Sequence, residues 1–212
     1  GIQNTLIGAL AGDALTDADF NTAVGLNALS SDTKGNYTTA LGYSALGIQN
    51  FTTSTNTYST AVGAFAGRQT TTATQNTLIG GLAGTALTTG DNNVVVGMNA
   101  LSSDTLGDRA VAVGTEALAS QNFTTSVDNY NVAVGYHAGN DVTTGDLNTL
   151  IGGLSGDALT TGNRNVAVGY VALSTDTLGD RAVAVGYGAL NLQNFTTTTD
   201  NYNVAVGHTA GG

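Results

Sequence analysis

The stretch NTAVGLNALSSDT, residues 21–33, contains a short apolar run that stops at Gly25 and is followed, three residues later, by Ala28. The same pattern of an apolar pair, Gly, two variable residues and then Ala or Ser occurs twelve times. Its glycines are Gly8, Gly25, Gly42, Gly63, Gly80, Gly97, Gly114, Gly135, Gly152, Gly169, Gly186 and Gly207. Self-similarity of this kind is the signature of a repeat architecture.

The spacing of these glycines has a second, longer period. Successive steps are 17, 17 and 21 residues, and then 17, 17, 17 and 21 residues twice over. A 72-residue unit results, and NTLIGGLAGTALTTG from residue 76 returns as NTLIGGLSGDALTTG from residue 148. The sequence therefore predicts one solenoid segment of a longer fibre over residues 1–212, with super-repeats at approximately 4–75, 76–147 and 148–212.

The apolar pair before each Gly predicts a short β-strand. Successive strand residues point to opposite faces, so Ala23 and Val24 face opposite sides, and such runs are typical of strands buried on both faces. The β-branched residues, the closing Gly and the lack of a 3.6-residue period disfavour a helix. We expect a second strand around Ala28, whose small side chain would fit opposite Val24 inside the coil.

The recurrent Gly predicts a corner that needs positive φ or leaves no room for a Cβ. A structural role is therefore expected for Gly25, Gly42, Gly63, Gly97, Gly114, Gly135, Gly169, Gly186 and Gly207. Stacked coils would also place the asparagines at the strand entrances above one another as amide ladders. The predicted fold is all-β: a parallel β-roll or β-solenoid of twelve stacked coils, about 58 Å long at about 4.8 Å per coil.

Composition excludes several classes of partner. The 212 residues are 41% hydrophobic and 9% charged, and they include no Cys, Pro or Trp. The net charge is −10 with only five basic residues, so the segment is expected to contact neither nucleic acid nor a membrane surface. No apolar run approaches the roughly 18 residues of a membrane span, and any export signal or anchor is expected outside this segment.

The motifs NTAVGLNA, NVAVGYHA, NVAVGYVA and RAVAVGYGA resemble the head repeats of trimeric autotransporter adhesins. The resemblance covers all twelve motifs. It implies a left-handed parallel β-roll, a homotrimer of chains side by side, and a place in an extracellular fibre on a bacterial cell surface. The coils here are longer than those of that family, so the extra residues are expected in protruding loops. Similar repeats also suit bacteriophage tail fibres, which would place the chain in a virion.

The 21-residue coils carry QNFTTSTNTYS, QNFTTSVDNYN and QNFTTTTDNYN from residues 49, 121 and 193. Aromatic rings among Asn and Thr suit a host-surface glycan or protein. The candidate binding loops are those of Phe51, Tyr58, Phe123, Tyr130, Phe195 and Tyr202. The alternative is that these rings fold back as a satellite core under the loop.

Other polar residues give weaker signals. The matching sets Asp104, Asp108, Arg109 and Asp176, Asp180, Arg181 suit either a Ca²⁺ site or solvated ion pairs. The two histidines, His137 and His208, stand at different offsets after their Gly with no Cys or second His nearby, which disfavours a metal site. Asn-x-Thr sequons occur at Asn36, Asn50, Asn122 and Asn194. We expect no catalytic, cofactor-binding or metal-ligating residue, and no cofactor.

These patterns together predict a non-catalytic structural and adhesive segment, a rigid spacer that displays loops for surface attachment. A phage tail-fibre shaft is the alternative. An ice-binding solenoid is less favoured, because Thr precedes the apolar pair in only six of the twelve motifs. A polysaccharide-degrading β-helix is disfavoured because the Asp residues are periodic rather than singular.

Overall fold

The structure, a computed structural model, describes all residues 1–212 and contains only strands, turns and bends. Twelve strands of three residues each precede the motif glycines. They are β1 (Thr5–Ile7), β2 (Thr22–Val24), β4 (Thr39–Leu41), β6 (Thr60–Val62), β7 (Thr77–Ile79), β8 (Val94–Val96), β10 (Val111–Val113), β12 (Val132–Val134), β13 (Thr149–Ile151), β14 (Val166–Val168), β16 (Val183–Val185) and β18 (Val204–Val206). Six two-residue strands complete the fold: β3 (Gly35–Asn36), β5 (Thr55–Asn56), β9 (Gly107–Asp108), β11 (Val127–Asp128), β15 (Gly179–Asp180) and β17 (Thr199–Asp200).

The twelve longer strands form a single parallel sheet in chain order. Each strand pairs with the equivalent strand of the next coil, so Val24 lies opposite Leu41, and Leu41 opposite Val62. The three short pairs, β3 with β5, β9 with β11 and β15 with β17, are also parallel. The prediction of a β-solenoid of twelve coils with the 17- and 21-residue spacing is confirmed.

Each coil turns at four residues with positive φ. In the second coil these are Phe20, Gly25, Asn27 and Leu29, with φ of 60°, 135°, 59° and 52°. Equivalent positions in every coil repeat the pattern, and the chain holds 29 such non-glycine residues. The prediction of a second strand around Ala28 is wrong, because left-handed residues on both sides of Ala28 make this segment a turn.

The motif glycines combine an unusual backbone conformation with a close approach between coils. Gly42 has a φ of +138°, and a Cβ at this position would lie less than 3.0 Å from the carbonyl oxygen of Gly63 in the next coil. The same holds for each motif glycine that has a coil after it. At Gly207, in the last coil, the nearest atom would be the Ala210 Cβ at 3.9 Å. Any larger residue in this column would therefore push two coils apart.

The interior is a thin line of small side chains with leucines between them. Ala23, not Val24, faces the interior and is fully buried, so the expectation that Val24 packs opposite Ala28 is wrong. Leucines fill the space that glycines leave: a Cβ on Gly67 would lie 2.6 Å from Leu78 Cδ1 and 2.8 Å from Leu46 Cδ2. Leucine side chains of the neighbouring coils thus occupy the space beside such a glycine, which keeps the interior close-packed.

The outer face of the large sheet is not covered by the chain itself. Val24 is half-buried, whereas Leu41 and Ile79 are 43% and 38% exposed. The expectation that both strand faces are buried is therefore wrong for the single chain. Each strand after β1 buries its middle residue and leaves the residues on either side of it on an open face, whereas Leu6 in the middle of β1 is 42% exposed.

Candidate binding surface of the long coils

The three long coils span residues 39–59, 111–131 and 183–203, and their extra residues form a second strand pairing. Strand β5 pairs with β3 of the preceding coil, and β11 and β17 make the equivalent pairs with β9 and β15. Within the long coils, runs of three exposed residues occur at 52–54, 124–126 and 196–198. The expected protruding loops are thus reduced to three short exposed segments, each followed by a return to the stack.

A buried aspartate ties each long coil to the coil before it. Asp104 Oδ1 accepts hydrogen bonds from the backbone N–H groups of Gly107 and Phe123, both at 3.1 Å. Its Oδ2 accepts a hydrogen bond of 2.6 Å from Gln121 Nε2. Asp32 and Asp176 make the same three contacts in the other two units. The sequence carried a signal for this pair, an Asp followed 17 residues later by a Gln in each unit, that our prediction missed.

Burial raises the pKa of the Asp104 carboxyl above its ordinary value of 3.8, although the hydrogen bonds from Gln121, Phe123 and Gly107 lower it. Desolvation disfavours the charged form, and the N–H donors offset part of that penalty. The carboxylate is thus held inside the stack by donors on two coils.

The other acidic residues of this region are bound to protein donors. Arg109 pairs with Asp128 of the next coil rather than with Asp104 or Asp108. Asp108 instead accepts hydrogen bonds from Asp91 N at 2.6 Å and Ser126 Oγ at 2.7 Å. No group of three or more His, Cys, Asp or Glu side chains is placed to hold a metal ion. The geometry favours hydrogen bonds and ion pairs at these aspartates over a Ca²⁺ site.

The six candidate aromatic residues divide into two classes. Phe51 and Phe123 are only 5% and 6% exposed, and Phe195 is half-buried, so these rings fold back into the stack. The partner residues remain outside, at 58%, 50% and 64% exposure for Tyr58, Tyr130 and Tyr202. The satellite-core alternative therefore describes the phenylalanines, and the accessible surface belongs to the tyrosines.

Each of these tyrosines has one ring face covered by a side chain of the preceding coil. Tyr58 stacks on Tyr37, with ring centroids 5.4 Å apart. In the second unit the guanidinium carbon of Arg109 lies 5.8 Å from the centroid of Tyr130, and Arg181 and Tyr202 repeat this contact at 5.5 Å. A ligand could stack on at most the other face of each ring.

A second exposed aromatic column follows the motif glycines directly and was missed by the sequence analysis. Its tyrosines, all between 44% and 58% exposed, are Tyr43, Tyr136, Tyr170 and Tyr187. The Tyr187 ring stacks on His208 at 4.9 Å and 7°. The position one residue after each Gly was the available signal, because the coil buries the middle strand residue and the Ala three residues after the Gly, as at Ala23 and Ala28, but not the residue directly after the Gly.

Asparagine columns link the coils beside the sheet. Asn131 Oδ1 accepts a hydrogen bond of 2.9 Å from the backbone N–H of Asn148, and Asn131 Nδ2 donates to the Gly145 carbonyl at 2.7 Å. Asn148 and Asn165 repeat both contacts one coil further on. The expected ladder thus exists, but each amide bonds to the backbone of the next coil and not to the next amide.

One acidic and basic cluster joins the second long coil to the coil after it. His137 Nε2 lies 2.6 Å from Glu116 Oε2 across two stacked coils. Burial and the nearby charge of Asp141 raise the pKa of the Asp157 carboxyl, while His137 lowers it. These contacts link the coils at their corners.

No helix that could cross a bilayer is present.

Comparisons with models of known protein families, with curated protein sequences and with solved structures gave no match. The fold defines the chain as a repeat protein of the β-solenoid class.

Proposed function

We propose that the chain is a non-catalytic structural and adhesive segment of an extracellular homotrimeric fibre. The observation that carries this proposal is the open outer face of the twelve-stranded sheet. The motif resemblance to trimeric autotransporter adhesin heads supports the same arrangement, with left-handed coils and a location on a bacterial surface.

The outer face carries one apolar column along its whole length. The residue before every motif glycine is Val, Leu or Ile, and register places these side chains in one column. Soluble monomers rarely expose long contiguous apolar surfaces, so such a column indicates an interface. Its occupant in this proposal is the same face of two further copies, because an identical chain offers an apolar column of the same length and strand spacing over twelve coils.

The adhesive part of the proposal rests on the exposed tyrosines. Tyr58, Tyr130 and Tyr202 recur at intervals of 72 residues, which four stacked coils convert to about 19 Å along the axis. A stiff rod that presents rings at a regular interval suits multivalent attachment to a host glycan or protein, since avidity grows with each simultaneous contact.

A phage tail-fibre shaft would use the same trimer, and the domain that adjoins the solenoid distinguishes a virion from a cell surface. An ice-binding role has one specific observation in its favour. Five threonines stand in register on the outer face: Thr5, Thr22, Thr39, Thr60 and Thr77. Thermal hysteresis of the purified chain would support that role. Release of sugars from a polysaccharide, abolished by one Asp substitution, would support the enzyme alternative.

The trimer is tested by sedimentation equilibrium of the parent chain and two matched variants. Leu41→Asp places a charge on the outer face, and Leu26→Asp places one on a corner with similar exposure, 47% against 43%. We expect the parent and Leu26→Asp to sediment as trimers and Leu41→Asp to shift towards monomer. Circular dichroism checks that each variant keeps its β-structure.

A monomeric parent chain at high concentration contradicts the trimer and leaves the solenoid intact. Equal dissociation of both variants contradicts the assignment of the interface to the sheet face.

A further inference from the structure

The structure separates the four Asn-x-Thr sequons into two classes. Asn36 is 8% exposed, and its Nδ2 donates to Ser54 Oγ and Asn56 Oδ1. The threonine two residues later, Thr38, is fully buried, with its hydroxyl 2.7 Å from the Thr57 hydroxyl. Neither side chain of this sequon can reach an external reagent while the chain is folded.

The sequons in the long coils have the opposite geometry. Asn50, Asn122 and Asn194 are exposed, and each Oδ1 accepts a hydrogen bond from a threonine hydroxyl of the preceding coil at 3.1, 3.0 and 3.2 Å. Their Nδ2 atoms make no hydrogen bond within the chain. The column asparagines differ, since the Nδ2 atoms of Asn148 and Asn165 donate to backbone carbonyls. The three carboxamides are thus held at their oxygen and free at their nitrogen.

The residues that follow these asparagines fix the orientation of the sequon. Phe51 points inwards and is 5% exposed, so Asn50 and Thr52 on either side of it point outwards. The Thr52 hydroxyl makes no hydrogen bond within the chain, and Thr124 and Thr196 are exposed in the same way. No contact within the folded chain therefore explains why a threonine occupies these three positions.

We infer that Asn50, Asn122 and Asn194 are acceptor sites for N-linked glycosylation and that Asn36 is not. The reaction takes a sugar from a glycosyl phosphate donor with a nucleotide or lipid carrier. The amide Nδ2 forms a bond to the anomeric carbon, and the bond from that carbon to the donor phosphate oxygen breaks. One amide proton passes to a base of the transferase, and the carrier phosphate leaves with the bonding electron pair. This inference does not depend on the proposed trimer.

The test uses the folded chain, a nucleotide-sugar donor and a soluble N-glycosyltransferase chosen for its activity on a synthetic peptide of residues 48–54. Intact mass counts the sugars, and proteolysis followed by mass analysis of the fragments assigns them. We expect at most three sugars, located on the long coils, with none on the fragment that contains Asn36. Asn50→Gln and Thr52→Ala should each remove one sugar, and their unfolding midpoints should match that of the parent chain.

Two results would overturn the assignment. One is a folded chain that takes up no sugar under conditions that modify the peptide. The other is modification of Asn36 to the same extent as the three long-coil asparagines. Unfolding the chain in urea before the reaction is the matched control, because only then should Asn36 become an acceptor.

Discussion

The long coil of the first unit, residues 39–59, and that of the second, residues 111–131, have the same backbone and different side-chain networks. Both follow a buried aspartate, both contain a motif glycine with φ near +140°, and both return through a two-residue strand. In the second unit, Gln121 Oε1 accepts a hydrogen bond of 2.8 Å from Asn131 Nδ2. In the first, Ser59 replaces that asparagine, and Gln49 Oε1 is buried without a partner.

The exposed sides of the two coils differ as well. Tyr37 stacks on Tyr58 in the first unit, whereas in the second Arg109 covers Tyr130 and pairs with Asp128. Glycine, buried alanine and the buried aspartate are thus common to both coils, and the side chains at the edge vary. The backbone path of the coil depends on a few buried residues. The exposed side chains can therefore differ between units without changing that path.

The largest effect is expected where the two coils agree. Gly42→Ala and Gly114→Ala should each cost more than about 3 kcal/mol of unfolding free energy, because each adds a Cβ at a strained φ and in contact with the next coil. Gly81→Ala is the matched control, since a Cβ there meets nothing within 4 Å. Urea denaturation measures all three. An equal loss in Gly81→Ala would contradict the close approach between coils.

The next effect concerns the aspartate that both coils share. Asp32→Ala and Asp104→Ala each leave two backbone N–H groups without an acceptor and remove one glutamine hydrogen bond, so each should cost about 2 to 3 kcal/mol. Gln49 Nε2 keeps a second acceptor, the Thr38 hydroxyl at 3.3 Å. Urea midpoints of both variants should fall together. A loss in only one unit would show that the two anchors are not equivalent.

The pH dependence of Asp104 has a definite sign. Its raised pKa means that the folded chain holds this proton at higher pH than the unfolded chain does. The contribution of Asp104 to unfolding free energy is therefore greatest below pH 3.8 and falls as the pH rises through the raised value. The parent chain should lose stability relative to Asp104→Asn over that range, and a difference independent of pH would contradict the shift.

A smaller effect should come from transferring one side chain between the coils. Ser59→Asn supplies the missing donor to Gln49 Oε1 and a better acceptor for Asn76 N, which now lies 3.4 Å from Ser59 Oγ. We expect a gain of about 1 kcal/mol, as for one added hydrogen bond. The reverse change, Asn131→Ser, should destabilise the second unit. Thermal unfolding of both variants tests this prediction. A lower unfolding temperature in Ser59→Asn as well as in Asn131→Ser would contradict it.

The smallest effect is expected at the exposed edge. Because Arg109 and Asp128 are both nearly half exposed, a double-mutant cycle should give a coupling below about 1 kcal/mol that weakens with added salt. The matched pair in the first unit, Tyr37 and Tyr58, should show a coupling that salt does not change. Chemical denaturation at two salt concentrations separates the two cases.

The sequence predicts the stack because glycine, small residues and their spacing are local and repeated. The assignment of Val24 to the interior is wrong because the alternation of strand side chains shows that Ala23 and Val24 face opposite sides, but not which of the two faces the interior. The left-handed conformations at Asn27 and Leu29 are missed because glycine is the one residue whose presence predicts positive φ from the sequence. Of the candidate surface, the aromatic residues are visible in the sequence, but the burial of Phe51 depends on contacts between coils.

The backbone hydrogen bonds of the large sheet join one coil to the next and so run along the axis of the rod. Force applied between the two ends of the chain therefore pulls along these hydrogen bonds and breaks those of one coil at a time, rather than shearing many of them at once. Each coil that opens releases 17 or 21 residues, a length of roughly 55 to 75 Å when extended. A chain built in this way would lengthen under force in small steps of two sizes, and so would extend before its two ends separate.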